Sequence, residues 1–313
     1  MPQRRPKVVI IVARRWRAQS LPTSGDVDVY APNVARLASE GVHFSRAYAT
    51  RPDSDASLGS LRTGMWPHAS GGAVRPDFTF VELEERPSPE PVRYVPQQFH
   101  LAPNVPFRDE DKARTAMVDY YRRCTALDAD LGRVLARLDQ QPDTLVVFTS
   151  DRGDMLGAHG LDGGDLPYEE SSRVPLIMRY PGKLAPGTRS DLLVSNADLM
   201  PTLLSLCGEE VPSSMQGRNL HTQIFEGRGD SPDSIYAYGS QWRMVVRGLD
   251  KMVVDQRDQM THLFNLGQDP FEQLNRAEEP GYKRLRDEMR AHLKNWMRRA
   301  GDRMDPSGLK LRI

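Results

Sequence analysis

Cysteine is scarce in this sequence. Only Cys124 and Cys207 occur in 313 residues, far apart and without the spacing of a metal-binding or redox motif. Two cysteines are too few for the disulfide framework of a small secreted domain. We therefore expect both to be small buried side chains on helices.

An excess of charge of one sign is also missing. Lys+Arg and Asp+Glu both number 42, so the formal net charge is zero. A strong positive excess is what usually draws a protein to nucleic acid or to an anionic membrane. The composition therefore predicts no nucleic-acid partner. The 24 prolines indicate a loop-rich globular protein.

Long apolar runs are absent as well. No stretch approaches the roughly 18 apolar residues of a membrane span. The basic start, Met1–Lys7, is typical of a signal peptide, but the apolar run Val8–Ala13 after it has only six residues. A signal peptide needs about 7–15. We expect this run to be a strand, with no membrane span, and the chain to be cytoplasmic unless a leader was removed before residue 1.

The pattern that is present is that of an α/β protein. Continuous β-branched and apolar runs at Val8–Val12 and Thr144–Ser150 predict buried parallel strands. Residues Ala31–Gly41 predict a helix, because Pro32 suits its first turn and Gly41 its end. Further elements are predicted as strands at Val42–Tyr48 and Phe78–Leu83, a second helix from near Ser54–Ser57 and a long helix at Asp109–Leu138.

The C-terminal part of the chain has a different pattern. From about Ser231, short alternating runs predict an antiparallel sheet, and Tyr282–Arg299 predict a charged amphipathic helix packed on it. We therefore predict an α/β domain over residues 1–230 and a small antiparallel α+β subdomain over residues 231–313.

Charged residues follow two of the predicted parallel strands. Arg14 and Arg15 follow the first, and Asp151 and Arg152 follow Thr144–Ser150. In an open parallel sheet, chemistry is located in the crevice beyond the carboxyl ends of the strands. We expect these four residues to meet at one edge of the sheet.

The order of several motifs resembles that of the sulfatase family, in the alkaline phosphatase superfamily. They are Pro-Asn-Val-x-Arg-Leu-Ala-x-Glu-Gly-Val-x-Phe at 32–44, Leu-x-Thr-Gly-x-x-Pro-His at 61–68, Ser-Asp-Arg-Gly-Asp at 150–154, Tyr-Glu-Glu-Ser-Ser-Arg-Val-Pro-Leu at 168–176 and Leu-Phe-Asn-Leu-Gly-Gln-Asp-Pro-Phe-Glu-Gln-Leu-Asn at 263–275. The resemblance covers the chain from residue 8 to about 300. It implies a mixed, mostly parallel sheet between helices, shortened here between residues 67 and 78.

The same resemblance implies a calcium site that this chain has altered. Arg14, Arg15 and Arg152 stand at three of the four positions where the family has calcium ligands, so Asp151 is the only ligand position that survives. Arginine offers donors only and stays charged, so it cannot bind a cation. We therefore expect no calcium and no other cofactor.

The catalytic positions implied by the resemblance are altered too. Ser54 stands at the nucleophile position, which in some bacterial systems is a serine converted to formylglycine. The proline and arginine that accompany that position in the family are replaced by Ala56 and Leu58. Gly164 stands where a sulfate-binding lysine is expected. A serine needs an activating base, and none is evident. We interpret Ser54 as a helix N-cap and His159, in the family's Gly-x-His-Gly segment, as a structural histidine.

Two hypotheses follow for the site. Arg14, Arg15 and Arg152 could replace the charge of a metal and bind sulfate, phosphate or a carboxylate, with Asp151 orienting one arginine. Alternatively, these side chains extend into solvent, or Arg152 pairs with Asp151 or Asp154.

For function, we interpret the chain as a catalytically inactive sulfatase homologue that acts through ligand binding or as a partner subunit, with a homo-oligomer as one form. One alternative is an active sulfate or phosphate ester hydrolase that uses Ser54. Another is a scaffold whose proline-rich loop 86–107 makes the contact.

Overall fold

The computed structural model describes residues 5–69, 78–84 and 94–302 of the chain. Within them, seven α-helices and eleven β-strands are numbered here in chain order. The helices are α1 Pro32–Ser39, α2 Ser54–Thr63, α3 Glu110–Leu138, α4 Glu169–Ser172, α5 Asn196–Leu206, α6 His221–Phe225 and α7 Lys283–Ala300. The strands are β1 Lys7–Ala13, β2 Val42–Tyr48, β3 Phe78–Leu83, β4 Thr144–Ser150, β5 Arg173–Val174, β6 Leu176–Arg179, β7 Thr188–Ser195, β8 Ser234–Tyr238, β9 Trp242–Arg247, β10 Asp250–Asp255 and β11 Met260–Asn265.

The larger sheet has seven strands and is mixed but mostly parallel. β1 lies between β3 and β4, and both pairings are parallel. The short strand β6 runs antiparallel between β4 and β2. β2 also pairs with β5, antiparallel, and with β7, parallel. The predicted fold class is confirmed, and the parallel strands end at one edge.

Helices cover both faces of this sheet. Because side chains alternate along a strand, Val9 and Ile11 pack towards α1 and α3, while Val8 and Ile10 pack towards α2 and α5. All four side chains are buried. This two-sided burial explains the continuous apolar run of β1.

The smaller sheet is antiparallel, in the order β11-β10-β9-β8, and α7 packs on it. It begins at Ser234, close to the boundary predicted at residue 231. The division into two domains nevertheless stays a prediction. The shortened connection between residues 67 and 78, and much of the proline-rich loop, fall on residues 70–77 and 85–93 and so lie outside the described residues.

A buried cluster of charges joins the two sheets. Lys251 of β10 is fully buried, and its Nζ lies 3.0 Å from Glu169 Oε1 and 2.8 Å from Glu272 Oε1. Glu169 also accepts a hydrogen bond from the hydroxyl of Tyr48, and its own N–H donates to Glu272 at 2.7 Å. We call Lys251, Glu169 and Glu272 the junction cluster.

Two smaller findings concern the cysteines and membranes. Cys124 on α3 and Cys207 at the end of α5 are both buried, as expected of small apolar side chains. Across the described residues, no helix combines the length and the apolar character that crossing a bilayer requires.

Candidate functional site

The turns after β1 and β4 lie side by side. The two strands are paired in parallel along their length, with Ala13 opposite Ser150 at the carboxyl end. The turn that carries Arg14 and Arg15 therefore adjoins the turn that carries Asp151, as the sequence predicted. We call the region lined by these residues and by Arg152 the strand-end cleft.

Asp151 connects the two turns through hydrogen bonds. Its side chain is fully buried, and Oδ1 accepts the main-chain N–H of Arg15 at 2.7 Å and that of Arg152 at 2.8 Å. The hydroxyl of Ser150 donates to the same oxygen at 3.2 Å. These bonds hold Arg15 in the left-handed region, with φ of 54°, which costs free energy for a residue other than glycine. Asp151 therefore fixes the backbone direction of both arginine-bearing turns.

Arg14 forms an ion pair that the sequence analysis missed. Its Nη2 lies 3.0 Å from Glu82 Oε2, and Arg62 of α2 pairs with the other oxygen of Glu82. The hydrogen bond that Arg14 donates to Glu82 raises the pKa of Arg14, against the opposing effect of burial. Glu82 lies on β3 opposite Val12 of β1, one residue before the same sheet edge. The position of Glu82 at the carboxyl end of a predicted strand was the sequence signal that could have indicated this ion pair.

The side chain of Arg152 folds back onto the main chain of the turn that carries it. Its Nη1 donates to the carbonyl of Gly153 at 2.9 Å, rather than to a carboxylate of Asp151 or Asp154. A Cβ atom added to Gly164 would lie 2.5 Å from Arg152 Nη1 and 2.8 Å from its Cδ. Arg152 therefore fills the space next to position 164, where the resemblance implied a lysine. The predicted pairing of Arg152 with Asp151 occurs only through the main chain.

The prediction that Ser54 is a helix N-cap is wrong. Asp53 is the N-cap of α2, and its Oδ1 accepts the N–H of Ala56 at 3.1 Å, while Ser54 is the first helical residue. Asp is as good an N-cap as Ser, and here it precedes Ser54 by one residue. Among the described residues, no histidine or carboxylate is hydrogen-bonded to the Ser54 hydroxyl, so no activating base is identified there.

Ser57 and Leu58, which follow Ser54 on α2, have structural environments. The buried hydroxyl of Ser57 accepts a hydrogen bond from Asn196 Nδ2 at 2.7 Å. Leu58 is buried in the apolar core between the sheet and α5. A leucine here removes the cation that the resemblance implied and adds apolar packing instead.

His159 lies in a hydrogen-bonded and stacked environment. The main-chain N–H of His159 donates to the main-chain carbonyl of Asn104 at 2.8 Å. The ring Nε2 of His159 lies 3.1 Å from Asn104 Nδ2. The imidazole stacks on Tyr168 with ring centroids 3.9 Å apart. Burial lowers the pKa of His159, so the neutral form is favoured. These contacts agree with a structural histidine, although its role stays a prediction. Asn104 was not identified from the sequence.

The side chains of this edge do not fit a calcium ion. Calcium takes about six to eight oxygen ligands. Asp151 Oδ1 already receives three donors, and only its Oδ2, buried and without a hydrogen-bond partner among the described residues, could turn to a cation. Within the described ranges, no three His, Cys, Asp or Glu side chains are grouped so that they could hold a metal. No step of a mechanism is therefore derived through calcium.

Two family models match this chain. The model "Sulfatase" matches residues 103–209, and the model "N-sulphoglucosamine sulphohydrolase, C-terminal" matches residues 157–299. Together they include the strand-end turn at Asp151, the junction cluster and the whole smaller sheet. The chain belongs to the sulfatase family.

Sequence relatives and solved structures agree with this assignment. An N-acetylglucosamine-6-O-sulfatase of Bacteroides thetaiotaomicron is 39% identical over 124 residues, which is 39% of this chain and 22% of the relative. An ulvan-active sulfatase of Formosa agariphila is 26% identical over 261 residues, which is 78% of this chain and 48% of the relative. The chain thus covers less than half of the length of these two relatives.

The solved structures show the fold. The putative sulfatase yidJ from Bacteroides fragilis superposes with a TM-score of 0.83 at 21% identity, covering 97% of each chain. The phosphonate monoester hydrolase of Agrobacterium radiobacter superposes with a TM-score of 0.78 at 17% identity, covering 95% of this chain and 96% of that one.

Proposed function

We propose that this sulfatase-family protein binds an oxyanion in the strand-end cleft through arginines and does not carry out calcium-dependent ester hydrolysis. The observation that carries the proposal is the position of Asp151. Its Oδ1 accepts the main-chain N–H of both Arg15 and Arg152, so this carboxylate positions cationic turns instead of facing a cation.

The charges around the cleft favour an anion. Arg14 and Arg62 share the single carboxylate of Glu82, which leaves this group of three with a net positive charge. The main-chain N–H groups of Arg15 and Arg152 both bind Asp151, so two cationic residues flank this carboxylate. Each guanidinium has five N–H donors in a planar arrangement that suits sulfate, phosphate or carboxylate oxygens.

Solvent access agrees with binding. The side chains of Arg14 and Arg62 are 37% and 36% exposed. An incoming anion can therefore reach them without unfolding of the turns. Because the main chain of Arg15 is already held by Asp151, less conformational entropy is lost when a ligand binds than for a mobile loop.

Calorimetry with inorganic sulfate and with phosphate tests the proposal. We expect saturable binding to the wild-type protein and at least a tenfold loss of affinity in the double variant Arg14→Ala/Arg15→Ala. Arg152→Ala separates the contribution of the other turn. Arg133→Ala is the matched control, because Arg133 is exposed and pairs with Asp130 within α3, away from the sheet edge. Absence of binding to either anion by the wild-type protein would refute the proposal.

Hydrolysis is tested separately, because the family relatives are described as sulfatases. We expect no turnover of arylsulfate or arylphosphate and no stoichiometric calcium, magnesium or zinc by mass spectrometry. Turnover that Ser54→Ala abolishes would show that the chain is an active sulfuric or phosphoric ester hydrolase. Loss of that turnover in Arg14→Ala/Arg15→Ala as well would indicate that the strand-end arginines stabilise charge in the reaction.

A role as a partner subunit or scaffold also stays a proposal. Native mass spectrometry measures whether the purified chain is a monomer or a homo-oligomer. A monomer that binds sulfate favours the ligand-binding function, whereas a stable assembly without anion binding favours the scaffold.

A further inference from the structure

A cavity of about 540 Å³ lies apart from the arginines of the strand-end cleft. We call it the side pocket and define it by Arg17, Asp26, Leu101, Met117, Leu156 and Arg189, all of which line it. Arg14, Arg15 and Arg152 are not among its lining residues. Its volume is within the range of about 300–1,000 Å³ that is usual for small-molecule sites.

The inner wall of the side pocket is apolar. Met117 of α3 and three residues of the segment that follows Asp151, namely Met155, Leu156 and Ala158, line it and are buried. Methionine and leucine form a surface that adapts to a flat or branched apolar group. This wall would exclude water from the body of a ligand.

Arg17 brings a cation to this apolar wall. Its main-chain N–H donates to the hydroxyl of Tyr120 at 2.8 Å and its Nε donates to Ser20 Oγ at 3.1 Å. The guanidinium carbon lies 5.5 Å from the centroid of the Tyr120 ring. Among the described residues, neither Nη group of Arg17 has a hydrogen-bond or ion-pair partner. The side chain is thus held at one end and has unused donors at the other.

The carboxylates of the pocket are occupied by other donors. Asp26 accepts the hydroxyl of Tyr121 at 2.6 Å and the main-chain N–H of Asp28 at 2.9 Å. Asp28 accepts the N–H of His100 at 3.3 Å, and its Oδ2 lies 3.7 Å from the His100 ring. Neither aspartate forms an ion pair with Arg17. The charge of Asp26 still acts on the Arg17 guanidinium, but neither carboxylate occupies its Nη donors.

A second guanidinium stands among the lining residues. Arg189 of β7 is exposed, and no hydrogen bond or ion pair of its side chain is found within the described ranges. Arg173, which also lines the pocket, already lies 3.2 Å from Glu169. Arg17 and Arg189 are therefore the two lining arginines whose side chains form no ion pair among the described residues.

We propose that the side pocket is a second binding site, which takes a small organic anion with an oxyanion group on an apolar body. The oxyanion binds to Arg17, with Arg189 as a further donor, and the apolar body packs on the wall formed by Met117 and Leu156. This site differs from the strand-end cleft because it requires the apolar body, whereas the cleft binds an inorganic anion.

Titration calorimetry with naphthalene-2-sulfonate on the full chain tests the site. We expect one saturable site in the wild-type protein. We expect at least a tenfold loss of affinity in Arg17→Gln, which removes the charge, and in Leu101→Trp, which fills the cavity while leaving every charge in place. The uncharged analogue naphthalene-2-sulfonamide should bind at least tenfold more weakly than the sulfonate.

Arg133→Ala is the matched control, because Arg133 pairs with Asp130 within α3 and lines neither site, and it should bind naphthalene-2-sulfonate as the wild-type protein does. Circular dichroism verifies the fold of each variant. If Arg17→Gln does not fold, Leu101→Trp and the exposed Arg189→Gln still test the site. The proposal is overturned if the wild-type protein does not bind the sulfonate, if Leu101→Trp binds it unchanged, or if Arg14→Ala/Arg15→Ala, rather than Arg17→Gln, loses binding.

Discussion

The strand-end cleft and the junction cluster both combine carboxylates with cations, but in opposite ways. In the junction cluster, Lys251 is fully buried and touches both Glu169 and Glu272. In the cleft, Arg14 and Arg62 are partly exposed and share one carboxylate. A closed set of charges whose members satisfy one another contributes to stability. An open set with spare donors is suited to binding.

The largest expected effect on stability comes from removing the cation of the junction cluster. Lys251→Met leaves Glu272 buried without its cation and leaves Glu169 with Arg173 alone, and we expect it to destabilise the fold by about 3–5 kcal/mol. Urea denaturation followed by circular dichroism measures the free energy of unfolding. Lys294→Met on the exposed face of α7 is the matched control and should change stability by no more than about 0.5 kcal/mol. An equal effect of both variants would contradict the assigned role of the junction cluster.

The next effect concerns the carboxylate of the cleft. Asp151→Ala removes an acceptor that receives three donors and releases the left-handed turn of Arg15, so we expect a loss of about 2–3 kcal/mol. Asp151→Asn keeps an oxygen for these donors and should lose clearly less. The Tm of the wild-type protein, measured with calcium and with a chelator, tests independently whether Asp151 binds a metal. A calcium-dependent rise in Tm of the wild-type protein would show that Asp151 is a metal ligand after all.

The pH dependence of stability tests the carboxylate Glu272 of the junction cluster. Burial is the largest influence on Glu272, and together with the nearby Glu169 it raises the pKa of this carboxyl from the usual 4.5 to about 7, although Lys251 opposes the shift. As the pH rises, Glu272 therefore loses its proton at a higher pH in the folded state than in the unfolded chain. Its stabilising contribution is complete below pH 4.5 and is lost as the pH rises through 7.

Glu272→Gln removes this titration. We expect the unfolding free energy of the wild-type protein, relative to that of the variant, to fall by about 3 kcal/mol between pH 4.5 and pH 8. The exposed Glu278→Gln is the control and should give a profile parallel to that of the wild type. If the difference between wild type and Glu272→Gln does not change with pH, Glu272 does not titrate in this range.

The smallest effect on stability is expected in the cleft. Gly164→Ala places a Cβ atom 2.5 Å from Arg152 Nη1, but the end of an arginine side chain can move away. We expect less than about 1 kcal/mol of destabilisation. Sulfate affinity should nevertheless change severalfold, because Arg152 must leave its present position. Unchanged affinity would indicate that Arg152 takes no part in binding, and Arg152→Ala in the same titration verifies this.

Much of the fold could be predicted because local and tertiary signals agree. The apolar runs of β1 and β4, the alternation of β2 and the motif order all indicated the observed sheet. The edge where Arg14 and Asp151 meet followed from the rule that parallel strands end together. These features depend on patterns of neighbouring residues, which a sequence displays directly.

The partners of individual side chains could not be predicted in the same way. Glu82, Lys251 and Glu272 are brought to their partners by strand register and by the contact of two sheets, and register is not visible in one sequence. The Ser54 error has a local origin, because Asp53 and Ser54 are both good N-cap residues and only the chain geometry selects one.

The contact between Gly164 and Arg152 also has a historical consequence. If an ancestor carried a lysine at 164 and a smaller residue at 152, as the family resemblance implies, the two side chains competed for one space. Loss of the lysine then made room for the arginine in its present position. A lysine restored at 164 alone would displace the Arg152 side chain from that position. Engineering that restores the ancestral arrangement should therefore change position 152 together with position 164.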